Sequence, residues 1–514
     1  MPALPALKHE PFAEARAQFG ALEAFLGSPE ACGLTHSELE RELEQRGREL
    51  LRQLLQAHLE VRGPGEALGP VEGSDGVVRD QPRLHARGLE TVFGEVQVER
   101  VGYGAEGVAS LHPLDAELNL PPELYSHEVR RRVADEAAKS SFDEVVQLLA
   151  ATTGARVGKR QVEELVVRAA HDFAAFYQER GESRPAEETG AVLVITADAK
   201  GVVMRREDLR EATRKKTERT THKLLNRLSR GEKRNAKRMA TVAAVYTIAP
   251  YVRTAEAVLG CLAPQRAREP PDRPRPESQR VWASLEHTPE AVIQEAFREA
   301  RRRDPEGRKR WVALVDGNEP QLDLLKKCFR AEGVHALIVL DFIHVAERVW
   351  KAGLDFHQEG SEALEAWVTQ RLFGILHGRS AHMAAGMRRS ATLHGFPAEA
   401  RVRVDACANY LLKYTAYLRY DQYLQQGLPI ATGVIEGACR YLVKDRMDRT
   451  GARWSLQGAE AVLRLRALRS SGDFDAYWRF HEQQEYLRQH AARYADGQVV
   501  PIRARQRRHL KRVK

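Results

Sequence analysis

Apolar and polar positions in the first third of the chain predict helices that are interrupted by one β-hairpin. Thr35 to Glu38 has the form of a capping box, and the amphipathic run that follows it to about Val61 predicts a helix. The stretch GLETVFGEVQVERVGY alternates around Gly94 and predicts a hairpin. Ser141 to Ala170 predicts a helix, a glycine-containing turn and a second helix. That layout is shared by helix-turn-helix DNA-binding modules and by ordinary helical hairpins.

Three apolar, β-branched runs in the middle of the chain each end in an aspartate. The first predicts a strand from Ala191 to Asp198, and the other two, WVALVD and HALIVLD, end at Asp316 and Asp341. A further strand is predicted from Met239 to Ile248, and helical patterns separate the later runs. Continuous apolar strands that alternate with helices predict an α/β core whose sheet is covered on both faces. Functional groups of such sheets gather at the carboxyl ends of the strands.

The last third of the chain is predicted to be helical. No strong strand pattern interrupts the stretch from His344 to about Gln426, and Gly433 to Met447 predicts another helix, followed by a last amphipathic one. Ala263 to Arg280 is rich in proline and arginine and predicts a flexible loop. The tail from Arg503 to Lys514 is basic and is predicted to be disordered.

The composition favours a soluble globular protein and argues against a membrane or secreted one. A chain of 514 residues with 43% hydrophobic and 29% charged residues predicts a soluble globular protein of several domains. No run approaches the roughly 18 apolar residues of a membrane helix, and the N-terminus lacks the layout of a secretion signal, so a cytoplasmic location is expected. The five cysteines are scattered without a CxxC pair, which argues against a zinc ribbon and against a disulfide framework.

Charge favours a polyanionic partner. The net charge is +9, and the segment from Arg205 to Arg238 holds 14 Lys or Arg against 5 Asp or Glu in 34 residues. A solvated helical face is the ordinary explanation of a charge run, but internal ion pairs cannot neutralise this imbalance. An arm that follows DNA phosphates is therefore predicted, with Arg214, Lys215, Lys216, Lys233 and Arg234 as the contacting residues.

The aspartates that end the first two runs are candidates for a metal site. A buried carboxylate is costly unless a cation or a metal pairs with it. Asp198 and Asp316, at the ends of neighbouring strands, would offer the oxygen ligands that Mg²⁺ and Mn²⁺ accept. A single aspartate at a strand end is more often a turn former. A third acid is needed to hold a second ion, and Glu436, in the apolar sequence GVIEGA, is the candidate.

The three acid-bearing motifs are ITADAKG, ALVDGNEPQL and TGVIEGACRYLVKDRM, the last followed by GARWS and GAEAVLRLRAL. They resemble the bacterial insertion-sequence transposases of the ISKra type, which are related to the Mutator group. The resemblance covers roughly Gly88 to Phe480. It implies an RNase H-like catalytic core that carries a DDE triad of Asp198, Asp316 and Glu436. The separations of 118 and 120 residues fit a core that is interrupted by an all-helical insertion.

Asp341 is the alternative to Asp316 as the second acid. In an RNase H-like sheet the fourth strand lies beside the first and the fifth lies beyond it, so Asp316 is expected to lie closer to Asp198. The DFIH stretch resembles a short motif that follows the fifth strand in the family, and there Asp341 and His344 are interpreted as supporting residues.

The activity that the resemblance implies is DNA transposition. Two Mg²⁺ or Mn²⁺ ions held by the triad would activate water to cut the transposon end, and then activate the freed 3′-hydroxyl to attack target DNA. The helix-turn-helix would bind the transposon ends through the first residues of its second helix, which are Lys159, Arg160 and Gln161. Because both ends must be brought together, a homo-oligomer on double-stranded DNA is expected.

Three residues near Glu436 have two interpretations each. Arg440 and Lys444 follow it at four-residue spacing, so they are predicted to share its helix face and to contact phosphates, with structural ion pairing as the alternative. Trp454 is interpreted either as a platform for a splayed base or as a core residue.

Two other functions stay open. One is an RNase H-fold metal nuclease that cuts without joining strands, and the other is a non-catalytic DNA-binding repressor.

The predicted regions are 1–75, helical; 76–125, small and β-containing; 126–185, helical with the possible helix-turn-helix; 186–345, first part of the core with the basic arm 205–238; 346–430, helical insertion; 431–475, second part of the core; and 476–514, C-terminal helix and basic tail.

Overall fold

The structure is a computed structural model that describes residues 10–183, 189–219, 229, 235–262, 273–449 and 451–503. The chain divides into two units, one formed by Met1–Phe176 with Asp473–Lys514 and the other by Tyr177–Gly472. Both contain helices and strands, so the prediction of a mixed α/β protein is confirmed. The predicted basic tail, from residue 504 onward, lies outside the described residues.

The first unit combines helices with a twisted three-stranded antiparallel sheet. The capping box at Thr35 is present, and the predicted hairpin is confirmed, since Thr91 pairs with Gly94 at its turn. The described helices are α1 (Ala13–Leu26), α2 (Pro29–Cys32), α3 (His36–Arg62), α4 (Pro113–Glu117), α5 (His127–Ala137), α6 (Phe142–Thr152), α7 (Lys159–Ala169) and α21 (Phe474–Gln489), with α8 (Phe173–Ser183) at the division between the units. The strands are β1 (Val71–Glu72), β2 (Val78–Arg79), β3 (Gln81–Thr91), β4 (Gly94–Ala105) and β5 (Val108–Leu111).

The helix pair predicted between Ser141 and Ala170 is present as α6 and α7. Ser141 and Glu144 form a second capping box at the start of α6, because each side chain bonds the other residue's backbone N–H. One apolar face of α7 is buried through Val162, Leu165 and Val166. The opposite face of α7 remains exposed and carries its charged residues.

The second unit contains a five-stranded sheet in the order β10-β9-β6-β7-β8. Its strands are β6 (Val192–Val203), β7 (Lys237–Ile248), β8 (Glu277–Ser284), β9 (Arg310–Val315) and β10 (Leu337–Leu340). The first three in the chain form an antiparallel meander, whereas β9 pairs in parallel with β6, and β10 pairs in parallel with β9. Consecutive residues of β6 from Val192 to Ala197 are all buried, so this sheet is covered on both faces.

The predicted end of the first strand at Asp198 is wrong. In the structure β6 continues to Val203, because β7 pairs with it along its whole length and Asp198 stands opposite Val242. The parallel partner β9 ends earlier, and its last rung joins Thr196 to Leu314. Asp198 therefore lies inside a strand, at the point where one of the two neighbours has stopped.

The prediction of a loop up to Arg280 is also wrong in part. Residues 263–272 lie outside the described residues, but β8 begins at Glu277 and includes Arg280. The guanidinium of Arg280 is buried because it pairs with Glu299 at 3.0 Å and with Glu295 at 2.5 Å. It also lies 3.6 Å from the centroid of the Tyr177 ring. These partners let a charged residue occupy a covered strand.

Most of the remaining helices of the second unit fall in the predicted helical stretches, but Glu211–Arg219 and Ala255–Leu262 were not predicted to be helical. The remaining helices are α9 (Glu211–Arg219), α10 (Ala255–Leu262), α11 (Pro289–Arg303), α12 (Glu319–Ala331), α13 (Phe342–Gly353), α14 (Glu362–Leu376), α15 (Ser380–Leu393), α16 (Val402–Lys413), α17 (Tyr420–Gln425), α18 (Gly433–Ala438), α19 (Asp445–Met447) and α20 (Leu456–Ser470). A π-helix, Cys439–Lys444, joins α18 to α19. Among the helices of the described residues, none has the length and apolar character that a membrane crossing requires.

Candidate functional site

Asp198 and Asp316 lie at the same level on adjacent parallel strands. The β6/β9 ladder joins Thr196 to Leu314, an offset of 118 residues, and Asp198 and Asp316 differ by the same 118. Asp316 is the first residue after β9. Neighbouring strands lie about 4.8 Å apart, and side chains at one level of a parallel pair point to the same face. The register therefore brings the two aspartates that the sequence predicted to one edge of the sheet.

Asp341 extends this row to a third strand. The β9/β10 ladder joins Val315 to Leu340, an offset of 25 residues, and Asp316 and Asp341 differ by the same 25. The backbone N–H of Asp341 donates to the carbonyl of Val315 at 2.7 Å, which continues the ladder by one bond. As expected from the sequence, the strand of Asp316 lies beside that of Asp198, and the strand of Asp341 lies beyond it.

The carboxylate of Asp198 is half-buried and is tied to the π-helix. Its Oδ2 accepts a hydrogen bond from the thiol of Cys439 at 3.2 Å. Burial raises the pKa of Cys439, and the negative charge of Asp198 raises it further, so the thiol keeps its proton and stays a donor. Cys439 was not among the predicted site residues. Its position three residues after Glu436 links the two acids through one helical segment.

The turn that carries Asp316 is held by two tyrosines. Tyr410 lies on α16, and Tyr414 is the first residue after that helix. The hydroxyl of Tyr410 donates to the carbonyl of Asp316 at 3.1 Å, and that of Tyr414 donates to the carbonyl of Gly317 at 2.8 Å. Gly317 has φ +92°, and a Cβ there would lie 2.8 Å from the Tyr410 hydroxyl, so only glycine fits. Oδ1 of Asp316 accepts from the N–H of Asn318 at 2.8 Å. Its Oδ2 accepts no hydrogen bond from the described residues.

Asp341 is fully buried and its oxygens are occupied by neighbouring donors. Oδ1 accepts from the N–H of Ile343 at 2.8 Å and so caps α13. Oδ2 accepts from Nδ1 of His344 at 2.9 Å and from the hydroxyl of Thr432. These bonds occupy both oxygens of Asp341, and its supporting role stays a prediction.

Glu436 lies on α18, and its carboxylate is close to Asp341 and His344. The Thr432 hydroxyl lies 3.2 Å from Oε1 of Glu436, and Nδ1 of His344 lies 3.9 Å from the same oxygen. Each of Asp341, His344 and Glu436 offers one ligand atom, and these atoms lie within 4.8 Å of one another. Asp198 and Asp316 are not members of that group, and their carboxylates accept from Cys439 and from the N–H of Asn318. Within the described residues, the structure thus gathers Glu436 with the two supporting residues more closely than with the other two predicted acids.

The electrostatics of this site are those of crowded carboxylates. Burial raises the pKa of Glu436, and the charge of Asp341 raises it further. The hydrogen bond from His344 to Asp341 raises the pKa of His344 to about 9, with added contributions from the charges of Asp341, Asp316 and Glu436. His344 is therefore protonated at neutral pH and partly balances the acids.

Replacing Asp341 by asparagine should lower the pKa of His344 from about 9 toward the ordinary value of about 6.5. The reason is that the amide removes the negative charge, and its NH₂ group replaces the oxygen that accepts from His344 when the remaining oxygen keeps its bond to Ile343. The measurement is an NMR titration of the His344 ring, assigned with a His344→Gln variant. Asp323→Asn, an exposed change on α12, is the control and should leave the titration unchanged. A wild-type His344 that titrates near 6.5 would contradict the expectation.

The donor set fits a hard divalent cation. Asp198, Asp316 and Glu436 supply carboxylate oxygens of the kind that Mg²⁺ and Mn²⁺ accept, and Oδ2 of Asp316 is free of hydrogen bonds from the described residues. Burial and then the charge of Asp341 raise the pKa of Glu436, and a bound cation would offset the second of these effects. The imidazole of His344 is a poorer match for Mg²⁺ because that ion favours oxygen.

The residues predicted to read DNA lie exposed at the start of α7. Lys159 pairs with Asp143 at 2.7 Å, and Arg160 pairs with Glu164 at 3.1 Å. Exposed pairs of this kind contribute only about 0–1 kcal/mol, so both side chains are free to exchange partners. Gln161 is exposed beside them.

The predicted basic arm is described only in part. Arg214, Lys215 and Lys216 lie on α9, where Lys215 pairs with Glu211 at 2.6 Å. Lys233 and Arg234 lie outside the described residues.

The α-helical alignment expected for Arg440 and Lys444 is wrong, while their contacts with phosphates stay predictions. Arg440 and Lys444 fall in the π-helix, whose i→i+5 bonding changes the α-helical alignment expected from their spacing, and Arg440 lies 3.8 Å from Asp445. Trp454 is only 7% exposed, and its Nε1 donates to the carbonyl of Met447 at 3.1 Å. The core interpretation of Trp454 therefore agrees with the structure, and the base-stacking interpretation does not.

Sequence reasoning missed Thr432, Cys439, Tyr410 and Tyr414. Thr432 could have been found, since it precedes Glu436 by four residues at the start of the same helix. The tyrosines carry no local signal, because their contacts join positions more than 90 residues apart.

Comparisons with known proteins identify no family. No protein-family model and no curated protein matches the chain. A solved structure described as the Drosophila P element transposase strand transfer complex aligns with 72% of this chain and 83% of that chain, at 9% sequence identity and a TM-score of 0.20. A TM-score this low carries no argument about fold or function.

Proposed function

We propose that this protein is a DNA transposase that cuts and joins DNA strands in a reaction that depends on Mg²⁺ or Mn²⁺. The observation that carries the proposal is the row of Asp198, Asp316 and Asp341 at one level of three adjacent parallel strands. Glu436 reaches the end of this row from α18 through Thr432. Carboxylates gathered at one sheet edge are suited to hold cations against a phosphate.

The sheet supports assigning an RNase H-like core. Three antiparallel strands, β6 to β8, are followed by β9 beside β6 and by β10 beyond it. Helices α13 to α17 then separate this sheet from α18, which carries Glu436, as expected for an all-helical insertion. Membership of the ISKra-type transposases rests on the sequence motifs alone.

The proposed chemistry is a pair of in-line phosphoryl transfers. Asp198, Asp316 and Glu436 would hold two divalent ions, which when bound would lower the pKa of the attacking hydroxyl and stabilise the departing oxygen. In the first transfer, water attacks the phosphorus at the transposon end and the bond to the 3′-oxygen breaks. In the second, the freed 3′-hydroxyl attacks a target phosphodiester, so that one P–O bond forms and another breaks. Protonated His344 contributes positive charge beside the acids.

The DNA would be held by basic surfaces outside this edge. The exposed start of α7 is suited to enter a major groove, and α9 with the rest of the basic arm is suited to follow phosphates. We propose double-stranded DNA as the partner and a homo-oligomer as the working state, because two transposon ends must be joined to one target.

The test combines cleavage with joining. The purified full chain is incubated with duplexes taken from the two borders of the element that encodes it, and separately with pre-cut ends and a target plasmid. We expect cleavage with Mg²⁺ or Mn²⁺, none with chelator, and joining of the pre-cut ends. Cleavage without joining would favour a metal nuclease, and DNA binding without either activity would favour a repressor. Each of these two outcomes would overturn the proposal.

A further inference from the structure

Arg348 lies on α13, the helix that Asp341 caps. It stands four residues after His344, so the two side chains lie on neighbouring positions of one helix face. Arg348 is exposed, and the centre of its guanidinium lies 3.9 Å from the centroid of the Tyr410 ring. A guanidinium over an aromatic ring is held in orientation by that ring.

Tyr410 joins Arg348 to the site. The same tyrosine that supports the guanidinium donates its hydroxyl to the carbonyl of Asp316 at 3.1 Å. Tyr410 thus links Arg348 to the backbone of Asp316, the middle member of the acid row.

Two lysines near the neighbouring rings of Tyr414 and Tyr417 have carboxylate partners. Lys413 pairs with Glu319, and Lys326 lies 3.6 Å from Asp323. Arg348 forms no ion pair with any acid of the described residues. The exposed guanidinium of Arg348 is oriented by an aromatic ring and has no carboxylate partner among the described residues. Its N–H donors are suited to bind an anion such as a phosphate.

We infer that Arg348 binds a DNA phosphate next to the carboxylates, and that Tyr410 is its positioning residue. The inference rests on the proposed function and extends it, because it assigns a substrate-binding residue to the helical segment between β10 and α18. The planar fork of Arg348 suits two phosphate oxygens at once. The carboxylates would repel the same phosphate, so a fixed cation at their edge lowers the cost of bringing DNA to them.

The decisive measurement is the salt dependence of DNA binding. Arg348→Gln keeps most of the side-chain stem but removes the charge, Arg348→Lys keeps the charge, and Arg389→Gln removes an exposed arginine of α15 as the matched control. Binding to the transposon-border duplex is measured with Mg²⁺ in an Asp198→Asn background, which keeps the DNA uncut. Loss of one phosphate contact should reduce the slope of log Kd against log salt by about 0.9 for Arg348→Gln, and Arg348→Lys should keep the slope.

Cleavage by otherwise wild-type protein is the second readout. Arg348→Gln should lower the single-turnover rate at saturating protein by about 10²-fold, as loss of one oriented donor at a reacting phosphate does. Arg348→Lys should fall between Arg348→Gln and wild type, and thermal melting should be the same for all variants. An unchanged salt slope in Arg348→Gln, or an equal change in Arg389→Gln, overturns the inference while wild-type cleavage still supports the proposed function. Absence of wild-type cleavage overturns both.

Discussion

Asp198→Asn and Asp316→Asn should each lower metal-dependent cleavage of the transposon border by about 10³-fold. The two carboxylates stand at one level of the β6/β9 ladder, and an amide in place of either would remove a charged oxygen from the proposed metal site. Loss of about 4 kcal/mol of stabilisation of the developing charge in the transition state corresponds to that factor. The measurement is single-turnover cleavage with Mn²⁺.

Asp323→Asn is the matched control for this prediction. Its side chain is 75% exposed on α12 and belongs to the same unit, so its cleavage rate should equal that of wild type. Asp341→Asn should retain more activity than Asp316→Asn, because the oxygens of Asp341 are occupied by Ile343, His344 and Thr432. An inactive Asp341 variant together with an active Asp316 variant would reverse the assignment of the second acid.

Glu299→Ala should destabilise the second unit by about 3–5 kcal/mol. Glu299 lies on α11, accepts from Arg280 at 3.0 Å and from Arg303 at 2.7 Å, and all three side chains are at most 8% exposed. Removing the shared acid leaves buried guanidinium charge uncompensated, which is among the costliest single changes in a folded protein. The measurement is a urea titration in which hydrogen exchange of β8 reports the unfolding of this unit.

A control variant and the dependence of stability on pH distinguish the loss of this buried ion cluster from the loss of any acidic side chain. Glu306→Ala removes an exposed acid that pairs with Arg308, and it should leave the urea midpoint unchanged. Burial alone would raise the pKa of Glu299, but Arg280 and Arg303 lower it to about 2. Because this folded-state pKa is depressed, the stabilisation is fully present above about pH 4.5 and is lost as the pH falls toward 2. Glu299→Ala should lack this part of the acid dependence, and a midpoint equal to wild type would contradict the prediction.

The apolar runs identified most strands of the second unit, but their pairing could not be read from the sequence. WVALVD and MATVAAVYTI are recognisable because nearly every residue is apolar, as covered strands require. β8 was missed because it begins with ESQR, and the charge of Arg280 is acceptable only after α11 supplies Glu295 and Glu299. Local pattern cannot reveal a partner that lies on another element.

The candidate site was predicted in part for the same reason. Asp198 and Asp316 could be picked out since each follows an apolar run, yet the end of β6 was misjudged because its extension depends on pairing with β7. Glu436 stood out as an acid in an apolar sequence. Its closest companions are Asp341 and His344, and their proximity follows from the hydroxyl of Thr432, which only the folded chain brings between them.

The ladder offsets also bear on which changes in chain length the protein tolerates. The position of each carboxylate is set by the hydrogen-bond register between its strand and the neighbouring strand. The length of the chain that connects the two strands does not affect that position. A domain inserted at the turn around Gly360, between α13 and α14, would leave every rung in register. Deleting one residue between Thr196 and Asp198 would instead rotate that carboxylate to the opposite face of the sheet. Descendants of this sequence can thus drift widely in total length while the two-residue step from the last rung to the acid stays fixed.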